Sequence, residues 1–290
     1  MEPSSPAFPQ CDGDALAART RSIACRLLSG AGSATLVVYE WAPSTTMSSL
    51  VHGVSSRGEL VVAACPPARH PAGTFPDGLP VDVRMSILKD APDPSVRINS
   101  AGIHALGTFE WVSSGEVTTM LVNDELPPHV AAIAASENGR LGIVKARRIL
   151  VHESSGITPM LLSDLKGCLV GGSAVVPFPA INDELDASHA VLACGQDALC
   201  RLCDAVSCGR LPGKELARRP LRNGCVRFGD QVFCADVDRT GMVLVHIGPE
   251  ATETVFAPFR TEATSIQDLS ERLEDLARDS ALLEMPQAQV

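Results

Sequence analysis

The sequence predicts an α+β fold in two parts: an antiparallel β-barrel with flanking helices, followed by a small C-terminal α+β domain. Short runs rich in Val, Ile and Leu recur between turn signals over the first half of the chain. From residue 158 onward the pattern changes to a connector, a long helical stretch and a few short strands. Apolar residues make up 45% of the 290 residues, which is enough to form buried cores.

The predicted domain boundaries follow these changes in pattern. Residues 1–13 hold three prolines and no apolar period, which predicts a mobile tail. The split between the two parts then places the barrel domain at 14–157, a connector at 158–186 and the C-terminal domain at 187–284. Residues 285–290 are predicted to form a second tail.

The barrel domain is predicted to begin with a helix and continue with strands. Asp14 is a suitable N-cap, and Gly30 follows the last apolar residues of the helical face. The pattern then indicates strands over 33–41, 47–55 and 59–65, and a Ser-Arg-Gly turn joins the last two into a hairpin.

The second half of this domain is also predicted to be mostly strands. They are expected over 80–89, 95–99, 104–113 and 140–151. Between the last two, Pro128 can open a short helix. Short antiparallel strands with helices at the margins favour a small barrel.

The C-terminal domain is predicted to contain a helix, a short sheet and a final helix. The expected elements are a helix over 187–207, a loop over 209–224 and strands over 225–228, 231–237 and 242–247. A turn at 238–241 makes a hairpin of the last two strands. Thr264 and Gln267 have the spacing of a capping box, which predicts that the final helix starts there.

Charge and composition exclude several classes of function. With 24 Lys and Arg against 34 Asp and Glu, the net charge is −10, which argues against nucleic-acid binding. Aromatic residues make up only 4%, too few for base-stacking platforms. No apolar run approaches the length of about 18 residues that spans a bilayer. The first ten residues lack a signal-peptide pattern, so we expect a cytoplasmic protein without membrane association.

Ten cysteines require a separate interpretation. In a reducing cytoplasm they are expected to be small buried apolar residues. The densest cluster consists of Cys194, Cys200, Cys203 and Cys208, on a predicted helix with apolar neighbours. This spacing matches no closed metal site, so we predict none, with metal or redox chemistry as the alternatives.

Two stretches of the chain resemble the flavin-binding split-barrel superfamily, which includes pyridoxamine 5′-phosphate oxidases and HugZ-like haem-utilisation proteins. Residues 79–111 are similar to the central strand pair of actinobacterial HugZ-like proteins, and residues 235–278 to the end of the domain that those proteins append. The resemblance implies a split β-barrel, a homodimer with the cofactor at its interface, and FMN or haem as the cofactor. An enzyme of this kind would be a flavin- or haem-dependent oxidoreductase.

The resemblance also implies candidate cofactor-binding residues. In the oxidases an Arg-x-Val-Leu-Leu-Lys strand supplies an Arg to the flavin phosphate and a Lys to the substrate phosphate. Arg84 and Lys89 have that spacing here, with Ser86 between them. Positions five apart on a regular strand point to opposite faces, so the two cations would serve different ligands. The alternative without a ligand is that both are surface charges of a strand.

Two histidines on predicted barrel strands, His52 and His104, complete the candidate set. They are expected to face a ligand or each other, or else to be hydrogen-bonded structural residues. No catalytic residue is assigned.

The haem-binding motif of the appended domain is incomplete in this chain. Relatives carry two histidines one helical turn apart, whereas here His189 stands without a second His near Gly195. The alternative interpretation is therefore a non-catalytic binding or regulatory protein on the same fold, with a protein partner and no cofactor. Plant relatives that bind glutamyl-tRNA reductase have such a role.

Overall fold

A computed structural model describes residues 13–39, 45–67, 69–93, 96–170, 177–220 and 230–283. These residues form two compact units. The barrel unit comprises Ile23–Lys89 and Ala101–Pro177, and the α+β unit comprises Met1–Ser22, Asp90–Ser100 and Phe178–Val290. The predicted strand at 225–228 and the two predicted tails, Gly13 apart, lie outside the described residues.

The first part of the chain forms strands with helices before, between and after them. The strands are β1 (Ser33–Val38), β2 (Thr45–Val54), β3 (Leu60–Ala64), β4 (Val81–Asp90), β5 (Asn99–Trp111), β6 (Arg140–Lys145), β7 (Arg148–Glu153) and β8 (Gly156–Leu161). The helices are α1 (Gly13–Leu28), α2 (Pro71–Thr74), α3 (Ser114–Val122), α4 (Pro128–Ala134) and α5 (Leu162–Leu169).

Six of these strands close a barrel in the part of the chain that the structure describes. Their order is β4–β1–β2–β3–β6–β5, and β5 pairs back with β4. Strand β5 has a different partner along each half of its length: Ala101–Ala105 pairs with β7, and Thr108–Trp111 pairs with β6. Strands β7 and β8 therefore extend the sheet beyond the barrel.

Alternating side chains explain why these segments form a barrel. In β4, Val83, Met85 and Ile87 are buried in the barrel core while the residues between them face outward. Strand β3 is buried on both faces because helix α4 covers its outer side, where Val61 and Val130 belong to a second cluster. Because the barrel core covers one side of β3 and helix α4 covers the other, a ligand can reach the outward side only of strands that no helix covers.

The structure corrects several predicted element boundaries. Of the strand predicted at 95–99, only Asn99 lies in a strand of the described residues; it begins β5, which also contains most of the strand predicted at 104–113. The strand predicted at 140–151 is divided into β6 and β7. Helix α3 was not predicted; the Ser113 hydroxyl caps it by accepting from the Glu116 amide. The predicted connector contains ordered structure, because β8 and α5 extend the barrel unit through Leu169.

The α+β unit packs helices against a four-stranded antiparallel sheet. Its elements are α6 (Glu184–Ala193), α7 (Gln196–Ser207), β9 (Lys214–Pro220), β10 (Gln231–Asp238), β11 (Gly241–Ile247), β12 (Ala251–Pro258) and α8 (Ile266–Leu282). The sheet order is β10–β11–β12–β9, and the predicted β10–β11 hairpin is confirmed. The helix predicted at 187–207 is two helices separated by Gly195 at φ 80°. The predicted loop at 209–224 contains β9.

The cysteines have different roles in the two units. Cys25 of α1 and Cys168 of α5 form a disulfide with their Cα atoms 6.6 Å apart. These two cysteines are therefore bonded to each other and are not free, buried apolar residues as expected from the sequence. The fold brings together two helices that are far apart in the sequence. Cys203 fits that expectation, since burial raises its pKa to about 12. None of the helices in the described ranges has the length and apolar character needed to span a membrane.

Candidate functional site

The outward side of β4, β5 and β7 carries a group of polar side chains that we call the outer-face site: Arg84, Ser86, His104 and His152. The first two are the outward residues of β4, where alternate positions are buried. His104 and His152 are half-buried residues of β5 and β7. Pairing of β5 with both β4 and β7 brings the three strands side by side.

His104 is the centre of this site. Its Nδ1 lies 2.9 Å from the Ser86 hydroxyl oxygen. On the other side, its ring packs edge to face against His152, with ring centroids 4.7 Å apart and an interplanar angle of 85°. The imidazole is thus positioned by both neighbouring strands.

The register of β5 against β7 explains the contact between the two rings. His104 pairs with Leu150, and Gly102 pairs with His152, so the histidines are diagonal neighbours. Gly102 leaves room above the sheet, because a Cβ at that position would come within 2.8 Å of Leu88 Cδ2. A larger residue would displace Leu88 from the outer face.

The electrostatics of the site favour a neutral His104. Its pKa is lowered first by burial and then by the positive charges of His152 and Arg84. In the tautomer protonated at Nδ1, the ring donates to Ser86 Oγ and keeps its lone pair at Nε2. Among the described residues, no side chain forms a hydrogen bond with His104 Nε2. His104 can therefore present a nitrogen ligand.

Apolar side chains surround these polar groups on the same face. Leu106 of β5 is 67% exposed, and Leu150 of β7 is 39% exposed. Ile157 pairs with His152 across β7 and β8, so it lies on the same side and is 61% exposed. A neutral nitrogen ligand, a guanidinium and an apolar surface occur together here. This combination suits a ligand with an apolar body and an anionic group.

The other two predicted residues lie inside the barrel unit. Lys89 has the inward orientation that its spacing from Arg84 predicts, and it is only 8% exposed. His52 is 1% exposed, and its Nε2 donates to the Leu27 carbonyl oxygen at 2.6 Å. Burial lowers the pKa of His52 to about 4. The structure thus brings together Arg84, Ser86 and His104 and separates them from the buried pair.

His152 is the residue of this site that the sequence analysis missed. A local signal for it exists: Ile149 and Val151 are buried, so Leu150 and His152 occupy the alternate, outward positions of β7. The non-local register that places it beside His104 has no such signal.

No protein-family profile and no curated protein sequence matches this chain. Among solved structures, it is similar to a haem-binding protein from Mycobacterium smegmatis, with 13% identity and a TM-score of 0.47 over 91% of this chain and 96% of the other. A protein of unknown function from Agrobacterium tumefaciens has 12% identity and a TM-score of 0.35, over 94% and 100% of the two chains. Campylobacter jejuni ChuZ has 9% identity and a TM-score of 0.34, over 50% and 60%. At these identities and scores the likenesses assign neither a family nor a ligand.

Proposed function

We propose that this protein binds haem at the outer-face site and serves as a haem-binding or haem-handling protein. The observation that carries the proposal is the edge-to-face pair of His104 and His152, with ring centroids 4.7 Å apart, on an exposed apolar face next to Arg84. Haem combines an iron that accepts imidazole nitrogen, an apolar ring and two carboxylates. Each of these parts has a chemical counterpart at the site.

The proposed roles follow from the environment of each side chain. His104 would offer Nε2 to the iron, with Ser86 fixing its ring from the Nδ1 side. Arg84 is outward-facing and forms no ion pair with any described carboxylate, so it can hold a propionate. Bound haem would supply a redox-active iron centre. An oxidoreductase activity remains a prediction of the sequence resemblance.

FMN is the second cofactor that the family resemblance implies. Arg84 is equally suited to its phosphate group, because a guanidinium forms bidentate contacts with phosphate. Lys89, the other cation of the predicted pair, is buried on the opposite side of β4. The paired imidazoles on the open side therefore favour haem over FMN.

A homodimer is part of the same proposal. Leu106, Leu150 and Ile157 expose apolar surface around the site. A second copy of the chain would cover this surface and enclose the ligand, with a gain of about 25 cal/mol for each Å² of apolar area buried. Light scattering of the purified protein tests this directly: a mass of one chain in both the free and the ligand-bound states rejects the dimer.

The alternative is a binding or regulatory protein that carries no cofactor and has a protein partner. One observation favours it: His189 is exposed on α6, and Gly195 ends the stretch in which relatives keep a second histidine. A cytoplasmic location remains a prediction in either case.

A titration with hemin separates these functions. We expect a shifted Soret band with saturable binding, and at least tenfold weaker binding for His104→Ala. Arg84→Gln should weaken binding by about 1.5 to 3 kcal/mol, the range for hydrogen bonds to charged groups. His189→Ala is the matched control, because His189 is an exposed histidine of the other unit.

The contrary results are equally specific. Wild-type protein that leaves the hemin spectrum unchanged would reject haem binding. Equal affinity in the His104 and His189 variants would remove the outer-face site from the proposal. A parallel titration with FMN, followed by quenching of flavin fluorescence, tests the second cofactor.

A further inference from the structure

The barrel unit contains a cavity that shares no residue with the outer-face site. Its volume is about 490 Å³, and it lies between the β2–β3 turn at Gly58, the end of β6 at Lys145 and the start of α5 at Ser163. Small-molecule sites usually have volumes of about 300 to 1,000 Å³. The cavity is therefore large enough for an organic ligand, not only for an ion.

Among the described residues, three cations line this cavity in a chain with a net charge of −10: Lys145, Arg147 and Lys166. The Lys145 ammonium pairs with Glu110 at 2.5 Å. Within the described residues, neither Arg147 nor Lys166 has a carboxylate at ion-pair distance. Glu59 also lines the cavity and offsets one charge. The lining remains positive, with two cations available for an anion.

The walls between these charges are largely apolar. Ala146 and Leu162 contribute half-buried side chains, whereas Leu60 and Val144 belong to the barrel core behind them. A fully hydrated inorganic anion would gain nothing from such walls, whereas an apolar body would bury surface against them. The lining thus combines attraction for an anionic group with a preference for an attached apolar part.

Helix α5 forms a fixed wall of the cavity. Leu165 is fully buried in the barrel core, and Cys168 is bonded to Cys25 of α1. Leu162, Ser163 and Lys166 therefore project into the cavity from a helix that is anchored at two points. Anchoring lowers the entropy cost of ordering these side chains when a ligand binds.

We propose that this cavity binds a small organic anion: a molecule with an apolar body and one phosphate or carboxylate group. Arg147 and Lys166 hold the anionic group, and Ala146 and Leu162 contact the body. The proposal does not depend on haem binding at the outer-face site, because the two sets of residues are disjoint.

Equilibrium dialysis with 1-naphthyl phosphate and with 1-naphthoate tests the proposal and distinguishes the two anionic groups. We expect saturable binding of at least one probe, and at least tenfold weaker binding for the double variant Arg147→Gln/Lys166→Gln. Arg148→Gln is the matched control, since Arg148 is an exposed neighbouring arginine that does not line the cavity. Inorganic phosphate should bind more weakly than 1-naphthyl phosphate.

Three outcomes would overturn the proposal. These are no binding of either probe by the wild-type protein at millimolar concentration, an equal loss in the Arg148 control, or loss of binding in His104→Ala. The last result would place the probe at the outer-face site. Because both substituted cations are exposed, circular dichroism should show an unchanged fold in the double variant. If the protein fails to bind hemin, by contrast, the expected binding of 1-naphthyl phosphate or 1-naphthoate is unaffected.

Discussion

His104 and His152 pack edge to face at a centroid distance of 4.7 Å, although they belong to different strands. Two imidazoles this close repel each other when both are protonated, and Arg84 adds a third positive charge nearby. His104 is therefore favoured in its neutral form, in which histidine can coordinate a metal.

The first prediction concerns the titration of His104. Its pKa should lie below the ordinary value of 6.5, and Arg84→Gln should raise it, because the substitution removes a nearby positive charge. Proton NMR of the imidazole Cε1–H as a function of pH measures both values. Arg260→Gln, at an exposed position of the other unit, should leave the titration unchanged. A wild-type pKa above 6.5 would contradict the electrostatic description of the site.

The second prediction concerns His52 and acid stability. Its folded pKa of about 4 lies below the ordinary 6.5, so the unfolded chain takes up a proton that the folded chain does not. Stability is therefore complete above pH 6.5 and is lost as the pH falls toward 4. The expected loss between pH 7 and pH 5 is about 2 kcal/mol.

His52→Gln should remove this component, whereas His189→Gln should retain it because His189 is exposed. Guanidinium unfolding at both pH values measures the difference. The same pH dependence in the two variants would show that His52 is not the group responsible.

The third prediction separates backbone strain from steric overlap at two glycines. Gly32 and Gly78 have φ values of 78° and 70°, so alanine at either position costs about 1 to 2 kcal/mol. At Gly32 an added Cβ would also lie 2.5 Å from the Leu88 carbonyl oxygen, whereas at Gly78 it meets no described atom within 4 Å.

Gly32→Ala should therefore be more destabilising than Gly78→Ala by about 1 to 3 kcal/mol, the usual cost of overpacking. Denaturant unfolding of the two variants measures this difference. Equal destabilisation would mean that β4 shifts away from Gly32 without cost.

The fourth prediction concerns the disulfide between Cys25 and Cys168, which closes a loop with a sequence separation of 143. Cys25→Ser/Cys168→Ser should lower the free energy of unfolding by about 2 to 5 kcal/mol, because the open chain gains conformational freedom when unfolded. Dithiothreitol should reduce the stability of the wild-type protein toward that of the double variant and leave the variant unchanged. Free thiols at both positions in non-reducing peptide mapping would argue against the bond.

Local patterns were sufficient to predict part of the candidate site. The alternation of apolar residues in β4 predicts the opposite orientations of Arg84 and Lys89, because a strand has a two-residue period. The same logic fails for His52, since β2 is covered on both sides: Leu50 belongs to the barrel core and Val51 packs against the cluster under α4. Alternation in such a strand cannot tell a ligand-facing histidine from a buried one.

Non-local relationships account for what the sequence analysis missed. The contact between His104 and His152 depends on the register of β5 against β7, and the Cys25–Cys168 bond depends on the packing of α1 near α5. Neither is encoded in a local period or spacing. The helix break at Gly195 could have been predicted from the sequence, because glycine tolerates the positive φ found there.

The position of β6 between β3 and β5 has a consequence for biosynthesis. The barrel closes only when β6 joins these two strands, so β1 to β5 emerge from the ribosome before their enclosure is possible. Until then the backbone groups of β3 at that edge lack their final partners and can pair with other nascent chains. Slow translation before residue 145 should therefore favour aggregation of the nascent chain. A chaperone that shields the free edge of β3 should increase the yield of folded protein.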